Sequence, residues 1–244
     1  MSFDLSGRTA LVTGSTRGIG NALARALAGA GARVAINGRT ADAVEAVVAG
    51  IDGSVAAPFD VTDGAAIVEA VEALGPVDVL VNNAGMTIRQ ALVDVEPEEW
   101  RHMLDVNLTS AFLVSRAVAP GMIERGSGKV INVCSVMSEL ARPTVGAYAA
   151  TKGALKMLTR SMCAEWAPLG IQANGIAPGY FRTDLNKALE NDPAFDAWLR
   201  ARVPAGRWAD PDELGGAAVF LASPASDFVN GQIIVVDGGL SAVV

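Results

Sequence analysis

Seven short apolar runs alternate with longer helical patterns along this chain, and that rhythm leaves few folds open. The runs are Thr9–Thr13, Arg33–Asn37, Val55–Pro58, Val77–Asn82, Lys129–Cys134, Gln172–Ile176 and Ile233–Val236. Several are hydrophobic nearly throughout rather than at every second residue, as expected of parallel strands covered on both faces. Between them the spacing predicts helices at Gly18–Ala30, Ala41–Ala49, Asp63–Leu74, Glu98–Arg125, Tyr148–Ala167 and Pro211–Ala222. Strand–helix alternation of this kind predicts an α/β fold, one doubly wound parallel sheet flanked by helices on both faces. No repeat, low-complexity linker or charge block divides the 244 residues, so 1–244 reads as one domain. One stretch breaks the rhythm. The insert at about 180–208, with Phe181, Arg182, Asn186, Phe195, Trp198, Arg200 and Arg202, reads either as a substrate-binding lid or as a pair of surface helices.

The first strand runs into Thr13-Gly14-Ser15-Thr16-Arg17-Gly18-Ile19-Gly20, which opens the first helix. The spacing differs from the general G-x-G-x-x-G fingerprint, but the physics is shared. Glycines permit a tight turn and let backbone approach a diphosphate at a helix N-terminus, where free N–H groups and the helix dipole favour anions. The second strand ends in Asn37-Gly38-Arg39. A carboxylate here suits the ribose hydroxyls of NAD, whereas arginine suits a 2′-phosphate. Arg39, with Arg17 in the turn, therefore favours NADP(H) over NAD(H).

Tyr148 and Lys152 are spaced i and i+4 within a predicted helix, on one face and within reach of a shared ligand. A phenol ordinarily titrates near pH 10, too high for easy proton exchange at neutral pH. A nearby ammonium favours the phenolate, so Lys152 is expected to lower the Tyr148 pKa. Ser135, at a strand end, could hold a substrate oxygen while Tyr148 supplies or removes its proton. With the glycine turn, this set points to nicotinamide-dependent hydride transfer.

Charge and composition exclude other chemistries. A net charge of −7 favours neither nucleic acid nor an anionic membrane. No continuous apolar run reaches a bilayer-spanning length, and the start, Met1-Ser2-Phe3-Asp4-Leu5-Ser6, lacks signal-peptide character, which predicts a cytoplasmic protein. Cys134 and Cys163 fit neither a disulfide framework nor a paired metal motif. His102 is the only histidine and reads as a partly exposed helix residue, so no metal site is expected.

Thr13-Gly-x-x-x-Gly-Ile-Gly20, Asn82-Asn83-Ala84-Gly85, Asn107, Ser135, Tyr148-x-x-x-Lys152, Pro178-Gly179 and Val236-Asp237-Gly238-Gly239 occur in the order seen in the short-chain dehydrogenases/reductases. The chain resembles that family over essentially its whole length. The resemblance implies a Rossmann-type sheet with Tyr148 as acid/base and Ser135 orienting the substrate oxygen. It implies that Lys152 holds the nicotinamide ribose and that Asn107 holds a water in a proton relay. It also assigns cofactor contacts: Gly14, Ser15, Arg17, Gly18, Ile19 and Gly20 in the turn; Asp60 and Val61 at the adenine; Asn83, Ala84 and Gly85 at the middle; Pro178, Gly179 and Thr183 at the nicotinamide. A homotetramer is implied, with interfaces on the 98–125 and 148–167 helices and at Leu240–Val244.

A narrower resemblance concerns the substrate. Lys129–Leu140, Tyr148–Arg160, Gly175–Thr183 and Pro211–Gly231 are similar to the gluconate 5-dehydrogenases, which implies a sugar acid. Such a substrate needs hydroxyl partners and a cation for its carboxylate. Ser138 and Glu139 could bind hydroxyls, and Arg89, Arg142, Arg182 or Lys187 could meet the carboxylate. Met86-Thr87-Ile88-Arg89 departs from that group in carrying an apolar residue where a second basic one is expected. A 3-oxoacyl-carrier-protein reductase and a non-catalytic NADP(H)-binding regulator remain as alternatives.

Overall fold

The computed structural model describes residues 3–244, so Met1 and Ser2 of the N-terminal segment lie outside the described residues. Its strands are β1 (Thr9–Val12), β2 (Arg33–Gly38), β3 (Ser54–Pro58), β4 (Val79–Asn82), β5 (Gly128–Val133), β6 (Ile171–Pro178) and β7 (Ile233–Val236). They form one parallel sheet in the order β3-β2-β1-β4-β5-β6-β7. The chain runs outward one way from β1 and the other way from β4. These two strands are neighbours, with Leu11 opposite Leu80, so the switch point lies beyond their carboxyl ends, where open α/β sheets bind ligands.

The helices are α1 (Gly18–Gly29), α2 (Ala41–Val48), α3 (Gly64–Leu74), α4 (Pro97–Leu104), α5 (Ser110–Arg125), α6 (Gly146–Trp166), α7 (Lys187–Glu190), α8 (Pro193–Arg202) and α9 (Gly215–Ala222). Continuous hydrophobicity in the strands follows from two cores, one on each face. Val79, Val81, Ile131 and Val133 pack with Leu23 and Leu27 of α1 and Leu221 of α9. Leu80 and Val130 point the other way, to Ile67 of α3, Val114 and Val118 of α5 and Met162 of α6.

Three elements differ from the sequence expectation. The helix expected over 98–125 is α4 and α5 joined by a π-helical segment, Asp105–Thr109, which turns Asn107 inward to 1% exposure. A π turn inside a helix re-aims side chains in this way and is frequent at functional sites. The helix expected from Pro211 starts as a 3₁₀ turn, Pro211–Leu214, where Asp210 and Glu213 form a capping box, and β6 runs on to Pro178. The Pro97–Arg125 rod is also long and apolar enough to cross a bilayer by length and composition, against the expectation of no such stretch. Its apolarity serves the core, because Met103, Val114, Val118 and Met122 are buried.

The 180–208 insert is helical and has a core of its own. Leu199 and Val203 pack with Trp208, Val136 and Leu240. Trp208 is fully buried and donates its indole N–H to Asp196 at 2.8 Å. Asp192 caps α8 by accepting from the N–H groups of Ala194 and Phe195. Tyr180, Phe195, Trp198 and Trp208 meet edge-on or tilted, with ring centroids 5.1–6.2 Å apart.

Candidate active site

The glycine turn is built by close approach. Gly14 (φ +61°) and Gly18 (φ +55°) lie in the left-handed region, and a Cβ on Gly20 would run into the Gly14 carbonyl oxygen and Asn83 Nδ2. Arg17 precedes α1 without a side-chain cap, so the first N–H groups of the helix are left for an anion. Thr183 lies beside this turn, within 3.9 Å of where a Gly18 Cβ would sit. Arg17 is exposed and pairs with Asp184 at 3.5 Å. Tight glycines, uncapped N–H groups and flanking arginines suit a dinucleotide phosphate.

Asn37 and Thr13, whose side chains sequence reading left without a role, hold this turn in place together with Asn83. Asn37 Oδ1 accepts from Gly14 N–H at 3.0 Å, and Asn37 Nδ2 donates to the Ala57 and Phe59 carbonyls. Thr13 Oγ1 accepts from the N–H groups of Asn83 and Ala84, while Asn83 Nδ2 donates to the Thr13 and Gly14 carbonyls. Asn83, Ala84 and Gly85 are thereby fixed against the turn. Asp60 accepts from Thr62 N–H and hydroxyl, which hold its carboxyl below the usual range, and Arg39 contributes a further lowering. Val61 is buried, and at the end of β6 Pro178 is buried while Gly179 packs so closely on Asp237 that a Cβ would approach its Cα to 2.8 Å.

Ser135, Tyr148 and Lys152 converge beyond β5. Ser135 stands close enough to Tyr148 to favour its phenolate, and Ser135 Oγ accepts from Met137 N–H at 3.1 Å. Ser138 ties the pieces together, accepting from Ser135 N–H and donating to the Lys152 carbonyl at 2.9 Å. Lys152 Nζ donates to the Val133 carbonyl at 2.7 Å and lies 5.7 Å from the centre of the Tyr148 ring. Asn107 Oδ1 accepts from Met86 N–H at 2.7 Å, and its Nδ2 donates to the Met86 carbonyl and Thr151 Oγ1. Gly85 sits between them, since a Cβ there would lie 3.3 Å from Asn107 Oδ1 and 3.7 Å from Lys152 Nζ.

The expected depression of the Tyr148 pKa is not what the chain's own groups produce. Burial pushes the phenol above 10, and the nearby Ser135 hydroxyl and the charge of Arg89 offset this only partly. Burial likewise brings Lys152 from 10.5 down to about 8. For Tyr148 the desolvation cost of the phenolate exceeds what Ser135 and the Arg89 guanidinium return, and for Lys152 that of the ammonium exceeds what Cys134 returns.

The substrate candidates separate. Arg89 reaches the site from the loop after β4, donates to Asn186 Oδ1 at 3.1 Å, and has a buried Nε without a hydrogen-bond partner. Its charge acts on Tyr148 and Tyr180. Arg142 stands over the Phe195 ring at 5.2 Å and also acts on Tyr180. Arg182, by contrast, is engaged by Glu190 at 2.9 Å and Asp210 at 3.3 Å. Glu139 is ion-paired with Lys156 and its side chain is half exposed, and Lys187 is exposed. Tyr180 and Asn186 were not singled out as site residues, and only their place beside Pro178-Gly179 and within the insert could have marked them. Cys134 is buried, with its thiol pushed up by desolvation, and His102 is exposed on α4.

Residues 14–241 match the protein family described as enoyl-(acyl carrier protein) reductase. The 5-keto-D-gluconate 5-reductase of Escherichia coli is 53% identical over 99% of this chain and 98% of that protein. The gluconate 5-dehydrogenase of Gluconobacter oxydans is 48% identical over 98% of this chain and 96% of that protein. A gluconate 5-dehydrogenase from Burkholderia cenocepacia, solved in complex with NADP and tartrate, superposes with a TM-score of 0.95. It is 54% identical and covers 100% of this chain and 98% of its own.

Proposed function

The chain belongs to the short-chain dehydrogenases/reductases, and from that premise we propose that it is an NADP(H)-dependent oxidoreductase interconverting D-gluconate and 5-keto-D-gluconate. The observation that carries this reading is Arg89 near Tyr148, with Arg142 near Arg89 and over the Phe195 ring, cations suited to a sugar-acid carboxylate. The relatives named above act, by their names, on the same acid.

The cofactor would lie across the switch point. The uncapped start of α1 and the Gly14–Gly20 turn would take the diphosphate, and Arg39 with Arg17 the 2′-phosphate. Asp60 and Val61 would border the adenine. Asn83, Ala84 and Gly85 would line the middle, Lys152 would meet the nicotinamide ribose, and Pro178, Gly179 and Thr183 would lie at the nicotinamide. When bound, the cofactor supplies or accepts the hydride. In the reducing direction Ser135 donates to the substrate carbonyl oxygen and Tyr148 supplies the proton. In oxidation Tyr148 takes the hydroxyl proton. We assign Asn107 to proton exchange with solvent, held by its bonds to Met86 and Thr151. The 180–208 insert acts as the lid over the substrate, in contact with the body through Arg89–Asn186 and Arg142–Phe195.

The homotetramer is part of this proposal. It is supported by exposed Phe112 on α5 and Met157 on α6, and by exposed Phe228, Val235, Val243 and Val244 toward the C-terminus. A cytoplasmic location is supported by two free cysteines.

The test is the initial rate of NADPH consumption with 5-keto-D-gluconate, beside acetoacetyl-CoA and with NADH in parallel. Turnover of the sugar acid with NADPH is the expected result. Turnover of the thioester alone would overturn the substrate and move the protein to acyl-chain reduction.

A further inference from the structure

Arg89 stands near Tyr148, and Arg142 stands over Phe195, whose ring centroid is 5.5 Å from that of Tyr180, while a monocarboxylate needs only one cation. Arg89 comes from the loop after β4 and Arg142 from the loop after Ser135, so they approach from different elements. They are close enough for Arg142 to disfavour the charge on Arg89, and both act on Tyr180. Among the described residues, neither has a carboxylate within ion-pairing distance. Arg182, Arg200 and Arg207 of the neighbouring insert each have one. Arg89 Nε is buried without a partner, and the recorded contact of the Arg142 guanidinium is the face of Phe195. In a chain of net charge −7, two cations set near each other without acids repel and remain short of acceptors.

We propose that this pocket takes two anionic groups and binds straight-chain hydroxylated dicarboxylates of the aldarate type, one carboxylate on each arginine. The inference rests on the sugar-acid reading of the same site. Arg89, from the loop after β4, takes one end, and the single carboxylate of an aldonate can sit on either cation. Arg142, seated on Phe195 of α8, takes the far end. The planar fork of each guanidinium matches a carboxylate, and Tyr180, which both arginines approach, can hydrogen-bond the hydroxyls between. A sugar alcohol of the same length engages neither cation, and an aldonate engages one.

The experiment is competition against NADPH-dependent reduction of 5-keto-D-gluconate by galactarate, D-galactonate and galactitol, with wild type, Arg89→Lys and Arg142→Gln. Galactarate should inhibit the wild type at a concentration about tenfold or more below D-galactonate, the effect of one added charge-assisted contact, with galactitol inert. Arg142→Gln should erase that gap, and Arg89→Lys, which keeps charge but loses the fork, should narrow it. Equal inhibition by galactarate and galactonate in the wild type, or a gap that survives Arg142→Gln, overturns the proposal. If 5-keto-D-gluconate is not reduced, titrating the same three ligands into the protein–NADPH complex by fluorescence reads the diacid preference without turnover. Failure of the catalytic reading is then distinguishable from failure of the two-anion site. Thermal unfolding of each variant checks that it is folded.

Discussion

Replacing Lys152 by Met isolates the electrostatic tension of the site. Burial brings this lysine from 10.5 to about 8, and its recorded hydrogen bond is to the Val133 carbonyl at 2.7 Å. At about 1.4 kcal/mol per decade, that fall means the folded chain disfavours the charged form by roughly 3 kcal/mol relative to the unfolded chain. The folded pKa is the lower one, so between pH 8 and 10.5 the unfolded chain holds more protons and stability rises with pH. Methionine keeps an unbranched side chain of similar length and removes the titration. Wild-type stability relative to Lys152→Met should therefore increase by about 3 kcal/mol between neutral pH and pH 10.5, with other titrating groups cancelling in the difference. Urea denaturation of both proteins at several pH values measures it. Parallel pH dependences would refute the reasoning, because they would mean that the ammonium is solvated or paired well enough to keep its ordinary pKa.

The other predictions concern turnover and cofactor binding. Tyr148→Phe should bind NADPH normally, by fluorescence titration, while turnover of 5-keto-D-gluconate falls about 10²–10⁴-fold; a variant of near wild-type rate would remove Tyr148 as proton donor. Gly20→Ala places a Cβ against the Gly14 carbonyl oxygen and Asn83 Nδ2, and displacing backbone costs about 1–3 kcal/mol, so NADPH affinity should drop about tenfold or more. Arg39→Asp should shift the ratio of kcat/KM for NADPH over NADH toward NADH by about tenfold or more, and an unchanged ratio would exclude a 2′-phosphate contact there. Gluconate oxidation should speed up as pH rises, because the proposed acceptor of the substrate proton is deprotonated Tyr148. A rate flat from about pH 6 to 10 with chemistry rate-limiting would count against that base.

Much of the fold was legible because the constraints are local. Unbroken apolar runs such as Val79–Val81, short and recurring between helical stretches, read as strands between two cores, and the glycines of the turn before α1 announce themselves by type. The π segment at Asn107 was not legible. Residues 98–125 keep helical periodicity throughout, and the extra residue in the turn is chosen by the fit of Asn107 to Met86 and Thr151. Within the candidate site, Tyr148, Lys152 and Ser135 could be proposed from sequence because their chemistry is rare at that spacing. The bracing roles of Asn37, Thr13 and Ser138 could not. A polar side chain that bonds a carbonyl twenty or seventy residues away leaves no periodic trace. The arginines show the same limit, since Arg182 and Arg142 look alike in sequence and differ only in whether Glu190 and Asp210 are near.

The direction of the pKa shifts explains why this pocket needs its ligands as much as they need it. Tyr148 is pushed up, Lys152 is pushed down and Arg89 carries a buried nitrogen without an acceptor. Each is a group whose charged or hydrogen-bonding form the protein alone serves poorly. A ribose hydroxyl offers Lys152 an acceptor, a substrate oxygen replaces part of the lost hydration of Tyr148, and a carboxylate answers Arg89. The same three contacts place the reacting atoms, so binding relieves the strain and orients the chemistry in one step. The stabilisation should then be mutual. Cofactor and sugar acid together should raise the unfolding temperature by more than their separate effects combined, because the second ligand meets groups already oriented by the first. Strict additivity of the two shifts would mean that Tyr148 and Lys152 are held by the fold alone, and the tension argued from their burial would then have no part in catalysis.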